Sequence, residues 1–265
     1  YARSFTIIGN KNLLDLEGLN SIHEVFNIFI SGNSELINLN GVQTLSIIDN
    51  FHVSDNDKLI NFKGFENITT THQHCIITGN RSLKNFEGLN NWTIMTSGML
   101  IIRSNATLIN LSGLDNLKSA GGFEITNNDN LKNLEGLGQL ATMSNLISGN
   151  TIYIAYNPRL CNINDLNDNL VANNLVLYVH SNPKLNCCNK ISSILDKAIG
   201  VRYYSIGVYN NLYGCNDTIE ARNIHNQICC YTKYSFINDT ICQGDGLLFN
   251  GMILSTSGVY YDTVT

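Results

Sequence analysis

The 265-residue chain sets 16 Lys and Arg against 21 Asp and Glu, a formal net charge of −5, and only 14% of its residues are charged, where about a quarter is usual. With no run of basic residues there is no electrostatic footprint for nucleic acid or an anionic membrane surface, and no apolar stretch approaches the roughly 18 residues of a membrane span. Polarity has passed instead to asparagine, of which there are 41, while 43% hydrophobic residues suffice for a sizeable core.

Read in chain order, one phrase recurs: IIGNKNLLDLEGLNSI, ISGNSELINLNGVQTL, VSDNDKLINFKGFENI, ITGNRSLKNFEGLNNW, IRSNATLINLSGLDNL and ITNNDNLKNLEGLGQL. Its fourth residue is Asn10, Asn33, Asn56, Asn80, Asn105 and Asn128, at steps of 23, 23, 24, 25 and 23 residues. Asn157 and Asn182 continue the series without the Gly that follows eight places after the others, from Gly18 to Gly136. A period in the twenties marks a solenoid, because one such unit cannot bury its apolar side alone. Five and three places before the Asn stand apolar residues, Phe5 and Ile7 in the first copy, Leu177 and Val179 in the last. That alternation is one face of an inward-facing strand. After the Asn, apolar residues recur every third place, as in Leu131, Leu134, Leu137 and Leu140, which predicts a turning path rather than a second flat strand. The Asn amides are expected to form a buried ladder, since a repeated amide satisfies its neighbours. Gly is expected where a Cβ would clash or φ is positive.

The pattern L-x-I-x-x-N-x-x-L-x-x-L-x-G-L-x-x-L resembles the receptor L-domain type of leucine-rich β-helix, found in growth-factor receptor ectodomains and in large bacterial surface proteins. The resemblance covers about residues 4 to 222 and implies a mostly β, right-handed parallel β-helix or leucine-rich-repeat-like solenoid of about eight to nine coils. Residues 1–222 are the expected domain, with a cap from about residue 183. There Ile191, Ile194, Leu195 and Ala198 sit at helical spacing, followed by a last strand over Tyr204 to Val208 and a turn at Asn211. Such an arrangement resembles the C-terminal cap of bacterial L-domain-like repeat proteins. The disulfide candidates are Cys187, Cys188, Cys215, Cys229, Cys230 and Cys242. Their clustering without C-x-x-C spacing points away from zinc and toward an oxidising compartment. The expected bridge joins Cys215 to Cys187 or Cys188. Cys75 falls in the inward column and reads as a small buried hydrophobe.

Residues 223–240 read as a linker. From 241 to 265 the chain alternates at period two around FNG, a hairpin signal, and resembles the start of short β-modules strung in tandem along bacterial surface proteins. With no initiator Met, no leader, and an alternating SGVYYDTVT at its end, the chain is expected to be a piece of a longer protein.

Chemistry is sparse. No column of carboxylates lines neighbouring coils, as a carbohydrate-active β-helix enzyme would need. The residues preceding each Gly are mixed, and THQH with His52 has no acidic or thiol ligand at fitting spacing, so no catalytic residue, metal or cofactor is assigned. One column stands out. Four places before each Asn, where the side chain points outward, stand Thr6, Phe29, His52, Ile76, Ile101, Glu124, Tyr153 and Tyr178, with Arg103 and His180 two places along. Apolar and aromatic residues on a solvent face mark contact surfaces. Phe29, His52, Ile76, Ile101, Arg103, Tyr153, Tyr178 and His180 are therefore the candidate contact residues. In receptor L-domains this sheet face often meets ligands, so the resemblance implies a non-catalytic adhesion module that binds a protein or glycan, extracellular and bacterial. A polysaccharide lyase or hydrolase and a structural spacer are the alternatives.

Overall fold

A computed structural model describes residues 2–23, 25–143, 150–198, 206–212, 215–218, 247–249 and 252–254. Strands β1 (Ala2–Ile8), β2 (Val25–Ser31) and β3 (Ile47–Ser54) pair in parallel, each one repeat from the last. The second half of β3 passes the ladder to β5 (Cys75–Thr78), β7 (Leu100–Arg103), β9 (Gly122–Thr126), β11 (Thr151–Ala155), β13 (Val176–His180) and β14 (Ile206–Tyr209). The first half of β3 begins a second ladder of two-residue strands: β4 (Thr70–Thr71), β6 (Ile94–Met95), β8 (Ser119–Ala120), β10 (Thr142–Met143) and β12 (Val171–Ala172). The result is a parallel β-solenoid of about seven turns, with nine described rungs on its long face. The second ladder is absent from the sequence reading, because two residues carry no periodicity.

Inward residues pack to full exclusion of water. Ile28, Ile30, Phe51, Val53, Cys75, Ile77, Leu100, Ile102, Phe123 and Ile125 are all 0% exposed, stacked in the columns their spacing predicts. The Cys75 thiol is among them, its pKa pushed up to about 12 by burial. Beyond each Asn the every-third pattern is a train of tight turns. Leu59 N–H donates to Asn56 C=O, Phe65 to Phe62 and Ile68 to Phe65, while Phe62 N–H reaches Glu87 C=O on the next coil at 2.7 Å. The same cross-coil bond recurs at Leu16, Leu39, Phe86 and Leu111, so each coil is tied to the next through its corner as well as its strand.

The asparagines form the expected ladder and extend it. Each Oδ1 accepts the backbone N–H of the Asn one coil earlier at 2.9–3.1 Å and that residue's amide at 3.1–3.4 Å, from Asn33 through Asn182 to Asn211. Each Nδ2 donates to a strand carbonyl of the preceding coil, Asn105 to Ile77 for example. Asn33 to Asn182 are buried, whereas Asn10, on the end coil, is exposed. A second column went unread: Asp15, Asn38, Asn61, Asn85, Asn110 and Asn133 each accept the N–H two residues on, the Asx turn that opens the Gly corner.

The C-terminal end is closed by α1 (Asn189–Lys197), which buries Ile191, Ile194 and Leu195, and by a Cys188–Cys215 disulfide, Cα atoms 5.8 Å apart. The expected pairing of Cys215 with one of the adjacent cysteines thus resolves to Cys188; Cys187 is also buried. Cys229, Cys230 and Cys242, the whole of the 223–240 linker and the start of the last strand lie outside the described residues. The chain divides into two compact units, Tyr1–Cys229 and Cys230–Thr265. Within the second, β15 (Leu247–Phe249) and β16 (Met252–Leu254) pair antiparallel with Phe249 opposite Met252; residues 250 and 251 lie outside the described residues.

Candidate binding face

The outward column exists as a physical row. Thr6, Phe29, His52, Ile76, Ile101, Glu124, Tyr153, Tyr178 and Gly207 are successive register partners across the long ladder. Beside it runs a second row: Ile8, Ser31, Ser54, Thr78, Arg103, Thr126, Ala155, His180 and Tyr209. Neighbours about 4.8 Å apart shield one another, so His52, Ile76, Ile101, Tyr153 and Tyr178 are half-buried, and Phe29 is exposed. Phe29 and His52 meet edge to face at 6.3 Å. Burial lowers the pKa of His52, against an opposing pull from Asp55, and its Nε2 is buried without a hydrogen-bond partner.

Arg103 is exposed but occupied. Its guanidinium grips Glu124 through both Nε and a terminal N–H, and that bond raises its pKa. His180 differs from expectation in the other direction. It is 3% exposed and lies beneath a group of rings rather than among the contacts. Its Nε2 shares a hydrogen bond with Tyr153 Oη at 3.0 Å, its Nδ1 meets Ser181 Oγ at 3.1 Å, and its ring stacks on Tyr209 with centroids 4.5 Å apart. Tyr153 and Tyr156 stand edge-to-face with it, centroids 5.4 and 5.2 Å away, and Tyr178 leans on Tyr153 at 5.9 Å. Desolvation lowers the His180 pKa and raises that of Tyr153.

Two members of this cluster are missing from the sequence reading. Tyr209 stands two places before Asn211, as His180 does before Asn182, so the column spacing contains it. Tyr156 precedes Asn157 at a position that takes a left-handed φ in coil after coil: Gly9, Gly32, Asp55, Gly79, Ser104, Asn127, Tyr156, Ser181 and Asn210. Tyr156 is the one bulky side chain there, at φ 57°.

The histidines of THQH are used locally. His72 Nδ1 meets Asp49 Oδ1 at 2.8 Å, and His74 Nδ1 accepts the Met99 N–H. Among the described residues no group of three or more His, Cys, Asp and Glu side chains gathers as for a metal ion, and no helix is long and apolar enough to cross a membrane. No family model, curated protein or solved structure matches the chain.

Proposed function

We propose that the chain is a non-catalytic binding module of a bacterial surface or secreted protein, related to receptor L-domains, that presents its long sheet face to a protein or glycan. The observation that carries this reading is the uninterrupted outward row from Phe29 to Tyr178, with an aromatic cluster at its C-terminal end. Strand registry holds these side chains in fixed relation, so little ordering entropy is left for binding to overcome. The Cys188–Cys215 bridge suits an oxidising compartment, and the terminal hairpin suits a tandem β-module. Glu124, the one carboxylate in the two outward rows, is paired with Arg103, whereas glycoside hydrolysis uses two carboxylates.

The test is simultaneous replacement of Phe29, Tyr153 and Tyr178 by Thr, a residue at home on a strand. Screened on immobilised glycan and extracellular-protein arrays, the parent chain is expected to return a ligand that the triple variant loses while both remain folded at 25 °C. A ligand retained by the variant counts against this face. Release of oligosaccharides from a polysaccharide panel favours the enzyme reading instead.

A further inference from the structure

The twelve tyrosines are placed with a bias: none lies between residues 2 and 152. Aromatic demand in the first coils is met by buried Phe and Trp92, yet Tyr153, Tyr156, Tyr178 and Tyr209 converge around His180 on one patch of the long face. Two backbone features accommodate these rings. Tyr156 holds a bulky side chain at φ 57°, where each of the other eight described coils uses Gly, Asp, Asn or Ser, a strain of about 1–3 kcal/mol that persists only where surroundings impose it. Gly207 completes the outward row, and a Cβ there would stand 2.6 Å from the Tyr178 ring and 3.1 Å from that of Tyr209. The Gly lets both rings lie close to the sheet.

We propose that this cluster is a subsite for uncharged sugar residues of a glycan laid along the solenoid axis, a proposal that rests on the binding-face reading and narrows it to one ligand class. The electrostatics select the class. In the two outward rows the only lysine or arginine, Arg103, is paired with Glu124, and the buried His180 is hydrogen-bonded through both ring nitrogens, so a uronate or sulfate finds no unpaired cation in those rows. The rings offer what a neutral pyranose needs: π faces of negative potential for its C–H face, and, on the exposed Tyr156 and Tyr209, phenolic oxygens that both donate and accept for its hydroxyls. Three adjacent rungs span only about 10 Å, short for a standard protein interface of about 800 Å² per partner.

The experiment is calorimetric titration of the 265-residue chain with hexaoses of β-1,4-glucan, β-1,4-xylan, β-1,4-mannan and α-1,4-glucan, and with the acidic hexaose of α-1,4-galacturonate. At least one neutral hexaose is expected to bind. Tyr156→Gly, which removes a ring and relieves the backbone, is expected to weaken that binding at least tenfold with Tm unchanged or raised. Gly207→Ala, which displaces the Tyr178 ring, is expected to weaken it as well. Failure of every neutral hexaose, preference for the acidic one, or affinity unaltered in both variants overturns the subsite. An array-identified protein ligand that the Phe29, Tyr153 and Tyr178 variant loses, with no hexaose bound, sinks the glycan assignment alone and leaves the wider binding reading standing.

Discussion

Asparagine does at each coil what charge does elsewhere, because it carries a donor and an acceptor without a desolvated ion. Asn105 shows why no other residue serves: its Oδ1 takes two N–H groups from Asn80, and its Nδ2 supplies Ile77 and Arg103 carbonyls. Asn105→Leu keeps the bulk but strands these groups, and is expected to cost about 2–6 kcal/mol, as for two unpaired buried polar groups at about 1–3 kcal/mol each. Asn105→Asp is expected to be worse, since an acceptor then faces two carbonyls with a buried charge. Urea midpoints at constant m-value measure both. Two histidines on the sheet face make a separate prediction. For His52 and His180 desolvation sets the folded pKa below the ordinary 6.5, so the unfolded chain binds more protons as pH falls. Their contribution is complete above about pH 6.5 and is lost as pH drops through the lower folded values. His180→Phe, still able to stack on Tyr209, is expected to show a shallower fall of Tm between pH 7.5 and 5.5 than the parent chain.

Coils stack closely only because the corner carries no side chain. A Cβ on Gly88 would lie 2.1 Å from Phe62 O at φ +107°, whereas one on Gly18, at a similar φ of +100°, meets nothing within 4 Å. Gly18→Ala is therefore expected to cost only the conformational part, about 1–3 kcal/mol, and Gly88→Ala clearly more, the difference in urea midpoint reading the coil-to-coil clash alone. The cap is held by chain connectivity as well as packing. Cys188 and Cys215 are 27 residues apart, for which loop closure gives about 3–4 kcal/mol; reduction is expected to lower Tm, and non-reducing peptide mapping to recover the Cys188–Cys215 pair. At this scale the strands, the Asn ladder and the cap helix are legible in the sequence, because each repeats a column or a known helical spacing, whereas the choice of Cys188 over its neighbour Cys187 as the partner of Cys215 is not. The two-residue strands are not, being shorter than any period. The Asx column of Asn38, Asn61 and Asn85 is regular enough to find, but a turn-capping Asn looks the same in sequence as a solvated one. Nor does spacing show that Arg103 is spent on Glu124 or that His180 lies beneath the tyrosines, since neighbours one coil apart settle both.

Across the whole solenoid the two described ends differ physically, and stability is expected to differ with them. Each coil touches only its neighbours, so opening proceeds from whichever end loses least. At the C-terminal end, α1 and the disulfide cover the last coil. At the other, Phe5, Ile7, Leu13, Leu19 and Ile22 are only partly buried, whereas their counterparts one coil on, Ile28, Ile30, Leu36, Val42 and Leu45, are at most 0% exposed. Opening the first coil thus gives up a half-wet set of side chains and one ladder partner. Opening the fourth breaks a fully dry core on both sides. Native-state hydrogen exchange is expected to find β1 amides the least protected on the long face and those of β5 and β7 near the global limit. A pair of substitutions makes the same gradient measurable without exchange: Asn10→Leu, on the exposed coil, is expected to shift the urea midpoint far less than Asn105→Leu. Equal shifts would mean that the first coil is as firmly held as the middle ones, and that the solenoid unfolds as one cooperative block rather than from its open end.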